Sequence, residues 1–372
     1  MNSRCHFTSR IIFAVLLVVF PNAGRAQYPN QNFVEGGVYA LDVPADARGS
    51  AMGESFVALQ ANPTAMMYNP AGLVGLDGMH LLYAQRGLLD LHYRTLASSF
   101  HTSLIDIGVM YGRFDMGGYE YVFSDGMSDK TTHIDTYNHI LAISAARAVS
   151  DQLAVGLTIK TFDVSRKATA SWYSLETTRP VLFDIGLLFS HPGFLGDGQL
   201  EDRFTAGTAL QNFGTDFRGT ERIADVTTEG PLRLPRYIRV GFSYTVTMKS
   251  TDESTHLFSM LVTAEYRGLL NVRSEFGDNR DFWGFGVETT LLDLFSARLG
   301  GYVQPFKSVN GSRGIPSLRY GAGINIPFSR LGITIPLELK VEYAGMPIQN
   351  YSESISQTYN AWDVELVCPI SL

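Results

Sequence analysis

Residues 236–247 read RYIRVGFSYTVT, and the order of residue types in that stretch decides the fold. Ile238, Val240, Phe242, Tyr244 and Val246 share one parity, while Arg239, Gly241, Ser243, Thr245 and Thr247 share the other. Successive side chains of an extended strand point to opposite faces, so this strand has one greasy face and one small or polar face. The pattern recurs. Leu153, Val155, Leu157 and Ile159 alternate with Ala154, Gly156, Thr158 and Lys160. Trp283, Phe285, Val287 and Leu291 alternate with Gly284, Gly286, Glu288 and Thr290. Trp362, Val364, Leu366, Cys368 and Ile370 alternate with Asp363, Glu365 and Val367. A soluble sandwich gives the same alternation with its apolar face turned inward. Two features favour a transmembrane barrel. The segments commonly run ten to twelve residues, against about five or six for an average globular strand and about 9–11 for a tilted membrane strand. Their polar face is rich in Gly, Ser, Thr and charge, as a barrel lumen requires. Lys160, Arg239, Glu288, Arg298, Lys340 and Glu342 would be costly against lipid, so the lumen is their expected place.

Outward from that stretch, fourteen strands are expected, near 79–86, 92–101, 104–115, 138–149, 152–164, 180–190, 203–213, 236–248, 256–267, 282–292, 296–306, 317–327, 334–345 and 360–371. Pro369 is awkward inside the last of these, because it cannot donate to a ladder. The connections 116–137, 165–179, 214–235, 268–281, 307–316 and 346–359 are long and follow odd-numbered strands. Those after even-numbered strands are mostly short. Long loops on one side and short turns on the other characterise outer-membrane barrels. An even strand number puts both ends on the periplasmic side. The fold expected is therefore all-β, a transmembrane antiparallel barrel occupying residues 79–372.

The beginning of the chain reads differently. Arg4 and Arg10 precede the apolar run IIFAVLLVVF at 11–20, and Gly24 and Ala26 supply small residues for cleavage. That is the pattern of a secretory signal peptide over residues 1–26. A membrane anchor is the other reading, but a spanning helix needs about 20 apolar residues. Losing Arg4, Arg10 and Arg25 takes 29 basic residues to 26 against 36 acidic, a net charge of −10. Such a surface argues against a nucleic-acid partner. Cys5 leaves with the signal, so Cys368 has no intramolecular partner.

Residues 40–76 lack clean alternation, and Asn62-Pro63 and Asn69-Pro70 mark turns or helix starts. In a closed barrel the lumen can hold such a stretch, so residues 27–78 are expected to form a periplasmic and luminal segment that acts as a plug or hatch. Here the sequence resembles a known family. Asn69, Pro70, Ala71, Gly72 and Leu73, preceded by Ala65 and Tyr68, look like the NPAGL signature of FadL-like outer-membrane barrels. Residues 47–59, ARGSAMGESFVAL, are closer to the PorV/PorQ branch of that family, with Ser50 and Glu54 where the branch usually has Ala or Gly. LAVGLTIKTF at 153–162, FDIGL at 183–187, LQNFG at 210–214 and the strand 295–302 resemble further family segments in order. The resemblance implies a fourteen-stranded barrel with an N-terminal luminal segment. It also implies one of two roles. A PorV/PorQ-like barrel would be accessory to type IX protein secretion or surface attachment, with secretion-system proteins or secreted cargo as partners. A FadL-like barrel would be a channel for hydrophobic small molecules. Outer-membrane lipid is a partner in both.

Each candidate residue also has a plainer reading. For 69–73 it is a rigid turn in which Asn caps, Pro sets φ and Gly72 permits a tight exit. For the luminal charges it is a cross-lumen network that fills the interior. Tyr83, Tyr93, Tyr111, Trp283, Tyr302 and Tyr343 are expected in interfacial girdles. No nucleophile elbow accompanies the histidines, no HExxH or Cys pair suggests a metal, and no phosphate-cradling glycine loop precedes a helix. Catalytic residues, metal and cofactor are therefore not expected, and the protein is read as a non-enzyme. Asp125-Gly126-Met127-Ser128-Asp129 has only part of a calcium-loop pattern and is read as an ordinary turn.

Overall fold

Alternating residue types give seventeen strands among the described residues of the computed structural model. These are β1 (Met79–Leu88), β2 (Leu91–His101), β3 (Asp106–Ser124), β4 (Asp129–Ala148), β5 (Leu153–Ala168), β6 (Tyr173–Thr177), β7 (Val181–Pro192), β8 (Leu200–Gly214), β9 (Phe217–Ile223), β10 (Val226–Leu232), β11 (Tyr237–Lys249), β12 (His256–Leu269), β13 (Phe282–Leu291), β14 (Phe295–Ser308), β15 (Gly311–Pro327), β16 (Glu338–Gln349) and β17 (Ser356–Cys368). The residues described are 41, 46–88, 91–124, 129–193, 195, 199–224, 226–232, 234–250, 256–270, 281–308, 311–349 and 356–369. The expected signal peptide at 1–26, most of 27–45 and the acidic turn at 125–128 lie outside them.

All strands except β6, β9 and β10 close into one antiparallel barrel of fourteen strands, in which β17 pairs with β1. Every barrel strand coincides with an expected one to within several residues, apart from extensions at the long-loop end. Parity explains the closure. Trp283, Phe285, Val287 and Leu299 are exposed on the outside, while their neighbours Gly284, Gly286, Glu288 and Arg298 are buried on the inside. Apolar residues facing out and small or charged residues facing in is the arrangement of a transmembrane barrel rather than a soluble one. The fourteen strands leave no sheet edge to pair elsewhere, because first and last strands complete each other's hydrogen bonds.

The structure corrects the expectation at three places. Residues 116–124 and 129–137 are strand, not loop: β3 and β4 run 19 and 20 residues and stay paired, with a register shift between Asp115 and Gly118. Within 165–179 and 214–235 lies a separate sheet, in the order β10-β9-β6. Finally, Tyr93 and Tyr302 do not belong to an outer girdle. Tyr93 is 2% exposed inside the barrel, and the Tyr302 ring faces inward under the Arg319 guanidinium, 4.5 Å away. Tyr83, Tyr111, Trp283 and Tyr343 do face outward. The expected difficulty with Pro369 vanishes, because β17 ends at Cys368.

Candidate functional site

Residues 46–76 pack against the inward faces of the barrel strands. Asp46 caps the short helix α1 (Ala47–Ala51) through the Gly49 amide at 3.3 Å. The same carboxylate accepts the Thr64 hydroxyl and the Tyr68 hydroxyl, both at 2.9 Å, which ties the two halves of the segment together. Burial pushes the Asp46 carboxyl above its usual range, while the hydrogen bonds from Thr64 and Tyr68 pull the other way. Asn69 caps the 3-10 turn Pro70–Leu73, accepting the Ala71 amide at 3.1 Å. Its amide group donates to the Val57 carbonyl at 2.7 Å and to the Leu187 carbonyl on β7 at 3.0 Å. Capping by Asn69 and Pro70 at the first position match the expected rigid turn. Gly72 has a different job: a Cβ there would meet the Leu59 carbonyl oxygen at 2.5 Å, and the positive φ angles belong to Gly75 and Gly78.

The wall receives this segment through glycines. On β5 and β7, a Cβ at Gly156 would run into Pro70 and the Ala71 amide, and one at Gly186 into Asn69. Gly207 and Gly241 lie against Val57, and Gly284, Gly286, Gly300 and Gly321 against residues 51–53. The glycines that read as lumen lining in the sequence are therefore seats. Direct bonds add to them. The Ala47 amide donates to Asp363 at 2.7 Å, and the Phe56 and Val57 amides both donate to Glu265, at 2.7 and 2.8 Å.

The six charges expected in the lumen lie on the inward strand faces and fall into four groups. Lys160 meets Asp184 at 2.6 Å, and Asp184 also accepts the Asn212 amide at 2.7 Å, so the FDIGL and LQNFG segments touch each other. Asn212 has φ 63° beside a register shift between Phe183 and Ile185, a bulge that brings its backbone to Asp184. Arg239 pairs with Glu265 at 2.5 Å and takes Gln211 at 2.7 Å. Glu288, Arg298 and Glu342 form a chain to Arg48 of the segment, whose guanidinium reaches Glu288 at 2.7 Å. Lys340 stands 3.6 Å from Glu365. The last two sets line a polar cavity of about 570 Å³, together with Asp46 and Asp363, near the short 291–295 turn. The arrangement is the cross-lumen network of the plainer reading, with carboxylates and guanidiniums matched at contact distance.

Sequence reasoning missed Asp46, Arg48, Asp184, Glu265, Asp363 and Glu365. Parity carried a signal for Asp363 and Glu365, which alternate with the apolar Trp362, Val364 and Leu366 on the last strand. The opposite flank of the interior is apolar. Tyr93, Met110, Phe114, Ile140, Phe162 and Leu182 form one buried cluster with Phe56, Met66, Met67 and Leu73 of the segment. That cluster reaches Phe217 and Leu234 at the long-loop end.

No protein-family model matches the chain, and no curated protein matches it in sequence. Similar solved structures include the toluene transporter TbuX of Ralstonia pickettii, at 13% identity and a TM-score of 0.48, over 86% of this chain and 97% of that one. The toluene transporter TodX of Pseudomonas putida is 10% identical with a TM-score of 0.46, over 86% and 96%. A FadL homologue of Pseudomonas aeruginosa is 12% identical with a TM-score of 0.47, over 86% and 97%.

Proposed function

We propose that the protein is a bacterial outer-membrane channel for hydrophobic small molecules, held shut by residues 46–76. The observation that carries this reading is the apolar flank of the interior. A water-filled pore has a polar lining. Here Phe114, Ile140, Phe162 and Leu182 face inward and continue, as one cluster, from Phe217 and Leu234 down to Met66 and Leu73. A molecule that dissolves in lipid can exchange for such side chains with little loss of free energy, whereas an ion cannot. The outward apolar face supports residence in the membrane, and the seated segment supports a closed resting state. The Asn69–Leu73 turn is the moving part in this reading, because it sits where the apolar cluster meets the glycine seats. Transport of this kind needs no catalytic residue.

The test is uptake of a labelled hydrophobic compound by cells producing the protein, against cells carrying an empty vector. Uptake that rises with the amount of barrel in the outer-membrane fraction is expected. Equal uptake in both strains, with the barrel present in that fraction, would refute the channel. The role in secretion is the second reading, and the β10-β9-β6 sheet with the β3–β4 hairpin favours it as a face for a protein partner. Cross-linking in the intact outer membrane tests it, since a secretion accessory should capture secretion components through that face.

A further inference from the structure

Arg86 is a cation in the lumen without an ion-paired or hydrogen-bonded counterpart among the described residues. Arg86 lies on β1 with the inward parity of Leu82 and Ala84, and its Nε and Nη1 atoms are buried without a hydrogen-bond partner among the described residues. The charges that act on it most strongly are Arg319, of like sign, and Glu54. Glu54 is already taken: Arg319 donates to it at 3.0 Å and Arg267 stands at 4.0 Å. Arg319 keeps a second buried nitrogen, Nε, without a partner among the described residues. Burial opposes the charged form of Glu54, yet Arg319, Arg267, Arg86 and Arg239 together outweigh it and hold the carboxyl below its usual range. Glu54 also adopts φ 62°, a left-handed conformation that a non-glycine residue enters only when its surroundings hold it there. An unmatched buried guanidinium is strongly unfavourable unless something negative meets it, and a guanidinium fork fits an oxyanion best.

We propose that Arg86 and Arg319 bind a compact oxyanion, a sulfate, phosphate or carboxylate group, between the barrel wall and the luminal segment beside Glu54. The bound anion bridges β1 and β15 and compensates the repulsion between the two arginines. It thereby latches the segment, since Arg319 also holds the Ser50 carbonyl at 3.3 Å. The site stands whether or not the barrel conducts, so its test does not depend on transport.

The experiment uses the full-length barrel in a neutral maltoside detergent, with thermal unfolding followed by heat-modifiable gel migration. Sodium sulfate is compared with sodium chloride at equal ionic strength. The wild type should melt several degrees higher in sulfate. Arg86→Gln should lose that response, with sulfate affinity weaker by about tenfold or more, and should melt no lower than wild type in chloride, because an unmatched charge is gone. Arg86→Lys keeps the charge and should retain part of the response, which separates loss of binding from misfolding. A parallel titration with octyl sulfate, against octyl maltoside, distinguishes the source. A shift at lower concentration than inorganic sulfate marks the head of an amphiphile, and an equal shift marks a free anion; both support the site. If sulfate and octyl sulfate raise the melting temperature no more than their controls, or if Arg86→Gln responds like wild type, the site does not exist.

Discussion

At the scale of single residues, two side chains organise the lumen. Asn69 uses one carboxamide to cap a turn and to reach both Val57 and the β7 backbone. Asn69→Ala removes the cap and leaves two buried carbonyls short of a donor, a loss of about 2–4 kcal/mol. Guanidinium unfolding of the refolded barrel should report it as a lower midpoint, and an unchanged midpoint would show that the turn holds itself. Glu265 accepts two segment amides and the Arg239 guanidinium. Arg239→Met strands that carboxylate, at a cost of about 3–5 kcal/mol. Removing both charges in Arg239→Met with Glu265→Met should recover part of the loss, which a double-mutant cycle measures. None of these links, up to 209 positions apart in the chain, was legible in the sequence, because parity tells which way a side chain faces and not what it meets there.

At the scale of elements, the strands were legible and their extensions were not. Lipid outside and a packed lumen inside impose strict alternation, so each of the fourteen barrel strands betrays itself. Beyond the lipid belt the outward face has no need to be apolar. The outer parts of β3 and β4, with Glu120, Ser124 and Lys130, therefore read as loop although they are paired. β6 is only five residues long and β9 and β10 seven each, with Thr and Glu among them, too short and mixed for a periodic signal. NPAGL could be placed in the lumen from its resemblance, whereas the glycines that receive it could be seen only as small residues. Those seats make a prediction for the element. Gly186→Val puts two methyl groups where Asn69 lies, so the 69–73 turn must lift from β7. In planar bilayers the variant should show frequent open-channel events where wild type is quiet; a wild-type record from correctly folded variant would mean that the seat is not what keeps the lumen closed.

For the whole molecule the issue is whether the contents of the barrel move as it works. Ser55 in the segment and Thr263 on β12 have their hydroxyl oxygens 3.0 Å apart. Cysteines at both positions, Ser55→Cys with Thr263→Cys, put two thiols where the hydroxyl oxygens now meet, for oxidation to a disulfide. If the segment must shift for passage, oxidised cells should lose uptake of the labelled hydrophobe and regain it with a reductant. Uptake that persists after complete cross-linking would assign the path to another part of the wall. The native Cys368 lies on β17, away from this pair in the chain, and Cys368→Ser removes any ambiguity.

The bond from Ala47 to Asp363 joins the front of the described chain to its last strand. α1 also packs against β15, β16 and β17. During biogenesis these strands of the barrel are synthesised last, so the segment cannot reach its final place before they are made. Its burial is therefore coupled to closure of the β1–β17 seam, and protease resistance around 46–76 should appear at the moment the barrel seals. Inserted but unsealed intermediates would be cut there while finished molecules are spared, which gives quality-control proteases a signal distinguishing a barrel still under assembly from one ready for service.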